Sequence, residues 1–91
     1  MPVTVRVPAQ LRTLTGGVGE VPLDGSTVGE VLKALDAAHP GFGERLFDEA
    51  GQLRRFVNVF VADEDVRFLD GLDTAVTEGQ TVSIVPAVAG G

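Results

Sequence analysis

The side chains able to do chemistry are few, and most of them stand alone. His39, the single histidine, sits beside Pro40 where a helix is expected to end, a position that suits the helix dipole and brings no catalytic partner into view. Asp63-Glu64-Asp65 places three carboxylates in a row, but a calcium loop needs spaced oxygens and a glycine turn, so the run reads as a solvated turn and no metal site is assigned. Gly16, Gly17 and Gly19 have the density of a phosphate-cradling loop, yet no Lys-Ser or Lys-Thr follows and no helix begins behind them. They read as turn chemistry. Arg54-Arg55 fits equally a small basic contact for a partner and charge balance beside an acidic turn. Cysteine is absent, which removes thiolate ligands, cysteine nucleophiles and disulfides. What remains is the terminal carboxylate. Val85-Pro86-Ala87-Val88-Ala89-Gly90-Gly91 has neither bulk nor polarity to anchor it, so an exposed, flexible tail is expected over 86–91. A carboxylate becomes a useful electrophile only after conversion to an acyl-adenylate, and an enzyme that does this must thread the tail into a narrow, water-poor channel. Glycines suit that channel because, lacking Cβ, they admit close approach from both sides, while Pro86 stiffens the exit from the fold. Gly91 is therefore the candidate reactive residue, and Ala87, Val88, Ala89 and Gly90 are the segment expected to enter a partner's active site; the alternative, for a terminal Gly-Gly taken alone, is a frayed end without function.

The elements that must hold this tail follow from periodicity. Val3, Val5 and Val7 alternate with Thr4 and Arg6, a half-buried strand that Pro8 ends. A short irregular stretch with Leu11 and Leu14 and a glycine turn lead to Glu20-Val21-Pro22-Leu23, which predicts a returning strand. Thr27-Val28-Gly29-Glu30 has the form of a capping box, and Val28, Val31, Leu32 and Leu35 then recur on one helical stripe up to Pro40-Gly41, leaving Lys33 and Asp36 to solvent. Phe42, Leu46 and Phe47 are expected to close one end of the core from a turn of helix. Residues 56–61 predict the strongest strand, followed by a turn at 63–65, a short strand at Val66-Arg67-Phe68, and a last strand over 81–85. One helix across one face of a mixed sheet makes an α+β single domain over 1–91, with a ubiquitin-like β-grasp as the expected architecture and a ferredoxin-like split as the alternative. If Val57, Val59 and Val61 pack on the helix, Phe56, Asn58 and Phe60 take the opposite face. With the last strand between the first and the Phe-rich one, Phe60, Arg6, Ser83 and Val85 form one candidate docking surface leading to the tail, the alternative being that Phe56 and Phe60 are covered by Arg54 or by a loop.

Composition narrows the function classes. The 91 residues are 44% hydrophobic and 22% charged, an ordinary globular balance, and 13 acidic against 7 basic residues give a net charge of −6. That sign argues against a phosphate-backbone binder, and the absence of Trp and Tyr removes the usual platform for stacking bases, so no nucleic-acid partner is expected. No stretch approaches a membrane span and the first residues read as strand, so a cytoplasmic location without membrane contact is expected.

Several motifs together resemble a known family. Leu11-Arg12 followed by Thr15-Gly16-Gly17, then Arg55-Phe56-Val57-Asn58, Asp63-Glu64-Asp65-Val66-Arg67-Phe68, Gly71-Leu72, Thr74-Ala75 and the ending Pro86-Ala87-Val88-Ala89-Gly90-Gly91 are similar, over essentially the whole chain, to the β-grasp sulfur carriers of the MoaD and ThiS kind. Tails of the MoaD kind carry two consecutive prolines. Ala87 stands in the second place here, which favours the branch that serves cysteine synthesis. The resemblance implies a carrier and not an enzyme. An adenylating enzyme of the MoeB, MoeZ or ThiF type would activate the Gly91 carboxylate with ATP and Mg²⁺, and a sulfur donor would displace AMP to leave a thiocarboxylate. A PLP-dependent cysteine synthase, or another sulfur-accepting synthase, would take the sulfur, and a zinc metallopeptidase of the Mec type would release the amino acid; the chain itself would bind no cofactor. Two other fates share the same activation: conjugation of Gly91 to protein lysines as a ubiquitin-like modifier, and service as the small subunit of molybdopterin synthase.

Overall fold

The computed structural model describes residues 2–86. Five strands form one sheet in the order β2-β1-β5-β3-β4. They are β1 (Val3–Arg6), β2 (Glu20–Leu23), β3 (Val57–Val61), β4 (Glu64–Asp65) and β5 (Thr81–Pro86). The last strand lies at the centre, parallel to β1 and antiparallel to β3. This placement matches the expectation from sequence, and with α1 (Val28–Ala38) across one face it makes the α+β, ubiquitin-like β-grasp arrangement. The ferredoxin-like alternative would need a second long helix, whereas α2 (Phe42–Leu46) is a single turn or so.

Alternation does the sorting. Val3, Val5, Val57, Val59, Val61, Val82 and Ile84 are buried on the inner face and meet Val28, Val31, Leu32 and Leu35 of α1, while Phe42 and Leu46 close one end. The capping box forms with one variation. Thr27 Oγ1 accepts from the Glu30 N–H at 3.2 Å and donates to the Glu30 carboxylate at 3.3 Å, which also accepts from the Ser26 N–H at 3.5 Å.

Several local expectations need correction. Asp36 is not left to solvent: half-buried, it accepts from the backbone N–H groups of Gly41 at 3.2 Å and Gly43 at 2.8 Å, tying α1 to α2 where the chain reverses. The stretch holding Leu11 and Leu14 is a 3₁₀ helix over Ala9–Thr15, ended by Gly16 in the left-handed region (φ 69°). Val66–Phe68 is a 3₁₀ turn and not a strand, because Asp65 Oδ1 accepts from the Arg67 N–H at 2.8 Å and turns the backbone so that Val66 points into the core. The strand is instead Glu64–Asp65, joined to β3 by Ala62 (φ 51°) and Asp63 (φ 69°), a two-residue turn with both centres left-handed. Phe56 lies in the turn before β3, where the Val57 N–H bonds to the Arg54 carbonyl, and is 48% exposed. Pro86, expected as the first tail residue, is the last residue of β5 and half-buried, since Val57 stands opposite it at the start of β3. At the final strand position a proline forgoes only one donor.

Candidate functional site

The central position of β5 decides what its end is surrounded by. Register places Arg6 opposite Ser83 and Ser83 opposite Phe60, so three of the four expected docking residues form one row across β1, β5 and β3. The row continues outward to Glu20 on β2 and Asp65 on β4. Val85, two residues beyond Ser83, lies on the same face beside Asn58 and is 46% exposed. Phe60 and Ser83 are half-buried and Arg6 is exposed. Arg6 Nε lies 3.9 Å from Glu20 Oε2 with both side chains about two-thirds exposed, a pair too wet and too long to fix the guanidinium. The sheet therefore offers an apolar centre of Phe60 and Val85 with a cation beside it. Ala87, Val88, Ala89, Gly90 and Gly91 lie outside the described residues.

Beside the end of β5 runs an open groove of about 370 Å³, lined by Arg6, Pro8, Gln10, Arg12, Val85 and Pro86 among others. Arg12 is positioned by its 3₁₀ helix, and its Nε donates to the Val7 carbonyl at 3.1 Å. Thr15 holds that loop from inside, donating to the Val18 carbonyl at 2.6 Å. On the β3 side, Arg67 spans two elements: Nη1 donates to Asn58 Oδ1 and Nη2 to the Arg54 carbonyl, both at 2.7 Å. Arg54 itself turns to α2, where its Nε donates to the Glu44 carbonyl at 3.0 Å, while Arg55 is exposed. The two adjacent arginines thus divide, one stitching the fold and one facing solvent.

Other candidate groups fall elsewhere. His39 is the residue after α1, with its backbone N–H bonded to the Leu35 carbonyl. The acidic run is split between a turn position (Asp63), an edge strand (Glu64) and a backbone cap (Asp65). Gly16 and Gly17 follow a 3₁₀ helix, and the Gly17 N–H is spent on the Arg12 carbonyl at 2.7 Å. Among the described residues no three His, Cys, Asp or Glu side chains gather as a metal cluster, and no helix is long and apolar enough to cross a membrane. Arg12 and Arg67 were not singled out as site residues from the sequence. Both lie in the motifs that carry the family resemblance, which is the signal that could have found them, but their reach across to Val7 and Asn58 depends on loops whose shape has no periodicity.

Comparison with known proteins adds to this geometry. A family model described as the ThiS family matches residues 5–91. The sulfur carrier protein CysO of Mycobacterium tuberculosis (strain H37Rv) is 52% identical over 93 residues, covering 100% of both chains. Small archaeal modifier protein 3 of Haloferax volcanii is 43% identical over 68 residues, covering 75% of this chain and 73% of the relative. In the crystal structure of the Amycolatopsis orientalis BexX/CysO complex, the matching chain superposes with a TM-score of 0.92 at 49% identity, covering 98% of this chain and 99% of the other.

Proposed function

We propose, from the premise that the chain belongs to the ThiS family, that it is a sulfur carrier whose reactive group is the Gly91 carboxylate. The observation that carries this reading is the 52% identity to CysO across the full length of both chains, with the family match running through position 91. The fold supports it: β5 is the central strand, bonded on both sides, so the residues that follow Pro86 start from the middle of the sheet, beside the Phe60 and Val85 surface.

The chemistry requires little of this chain's side chains. Gly91 attacks the α-phosphate of ATP in an activating enzyme of the MoeZ, MoeB or ThiF type, pyrophosphate leaves, and Mg²⁺ offsets the phosphate charge. A sulfur donor then adds at the acyl carbon, the C–O bond to AMP breaks, and a thiocarboxylate remains. That group is a soft nucleophile, ionised at neutral pH, and acid–base catalysis belongs to the partners. The acceptor we favour is a PLP-dependent cysteine synthase, with a Mec-type zinc metallopeptidase releasing cysteine afterwards, because the matching carrier is CysO and Ala87 follows a single proline. Phe60, Arg6, Ser83 and Val85 dock the activating enzyme, Ala87–Gly90 enter its channel, and the process runs in the cytoplasm.

The test is intact-protein mass spectrometry after incubation with ATP, Mg²⁺, a sulfur donor and a MoeZ-type enzyme, on the chain with and without Gly91. A gain equal to sulfur replacing oxygen, present only with Gly91, is expected. No gain from enzymes that thiolate their own carriers refutes the reading. The likeness to a small archaeal modifier favours a second reading, conjugation of Gly91 to protein lysines, and a ladder of conjugates in a lysate would support it.

A further inference from the structure

The basic residues of this chain are Arg6, Arg12, Lys33, Arg45, Arg54, Arg55 and Arg67. A single lysine among them matters for a chain whose end is an activated acyl group. We infer that the groove at the end of β5, whose basic side chains are Arg6 and Arg12 and no lysine, spares an activated Gly91 from capture by an amine of its own chain, so that the acyl group passes to an outside nucleophile. The inference rests on the carrier reading and deepens it.

The placement is specific. Arg6 and Arg12 line the same groove as Val85 and Pro86. The five residues beyond Pro86 have a contour of at most roughly 17 Å, a length on the scale of the groove that Pro86 shares with both arginines. The one lysine is elsewhere: Lys33 is on α1, across the opposite face of the sheet, in a groove with Phe47 and Leu72. Parallel pairing of β1 with β5 also puts Pro2 at the far end of the sheet from Pro86.

The chemistry separates the two cations. A small fraction of a lysine amine is neutral near pH 8, and its nitrogen lone pair attacks an acyl carbon: the C–N bond forms, the C–S bond of a thioester or the C–O bond of an acyl-adenylate breaks, thiolate or AMP leaves, and the proton passes to water. A guanidinium keeps its proton and has no lone pair to offer, so it supplies charge to a partner without reacting. On a short tether the local concentration of such an amine is of millimolar order.

The decisive experiment uses the full chain carrying a Gly91 thioester, made by thiolysis of an intein fusion and held near pH 8. Wild type, Arg12→Lys, Arg6→Lys and Lys33→Arg are followed by intact mass. Wild type and Lys33→Arg should return to the free acid. The two arginine variants should give, at least about tenfold above wild type, a product one water lighter than the acid, with fragment spectra joining Gly91 to position 12 or 6. Arg6 is exposed on β1, so Arg6→Lys keeps the test decisive if loss of the Arg12 bond to Val7 disturbs the fold. The inference is overturned if neither variant forms this product, or if wild type forms it as fast through Lys33. Because the thioester is made chemically, these outcomes are separate from the carrier reading, which the enzymatic mass gain alone decides.

Discussion

Replacing Ala62-Asp63 by Asn-Gly should stabilise the domain, against the usual direction of substitution. Both residues sit at positive φ, 51° and 69°, in the two-residue turn between β3 and β4. An L-residue pays roughly 1–2 kcal/mol for the left-handed region because Cβ crowds its own carbonyl, while Asp and Asn bear it more easily than Ala. Asn at 62 and Gly at 63 remove most of that strain, and the added freedom of glycine in the unfolded chain takes back about 0.5–1 kcal/mol. The net gain is about 1 kcal/mol, which for a domain of this size raises Tm by roughly 4–8 °C. Urea titration provides the control: the midpoint should rise with an unchanged slope, since the same surface is exposed on unfolding. An unchanged or lower Tm would refute the argument that this turn stores strain. Ala62→Val should move the other way, because a β-branched side chain is worse still at that φ.

Three further outcomes are expected. Asp36→Ala removes the acceptor shared by the Gly41 and Gly43 amides and should cost about 2 kcal/mol by chemical denaturation; a loss below half of this would mean that water replaces the carboxylate freely. Thr27→Ala breaks the cap of α1 and should cost about 1 kcal/mol, with amide exchange at Glu30 accelerating before that at Leu35. Phe60→Ala should weaken binding to the activating enzyme by about tenfold or more while costing less stability than Val59→Ala, whose fully buried side chain loses roughly 2 kcal/mol; a large fall in Tm with unchanged binding would reverse the assignment of Phe60 to docking.

Much of the architecture was legible because it rests on period. Alternation at Val3-Val5 and Val57-Val59-Val61 and the helical stripe Val28-Val31-Leu32-Leu35 each assign one face, and burying all of them at once leaves few arrangements. The misread parts obey local hydrogen bonds that no period encodes. Asp65 capping the Arg67 amide converts an expected strand into a 3₁₀ turn, and Asp36 reaches seven residues ahead to Gly43, turning an expected surface charge into a structural acceptor. The strand at Glu64–Asp65 was hidden because its sequence is acidic and two residues long, and only pairing with Phe60 and Val61 defines it. At the candidate site, strand period brought Arg6, Ser83, Phe60 and Val85 to one face, whereas Arg12 depended on the path of a 3₁₀ loop.

The parallel pairing of β1 with β5 has a mechanical consequence. A pull between Pro2 and Pro86 draws two neighbouring strands past each other lengthwise, so their bonds share the load and must fail together, whereas a hairpin pulled from its open end parts one bond at a time. The antiparallel β3 braces the loaded strand from its other side. Tension applied along β5 toward Pro86 is therefore resisted by two flanking strands at once.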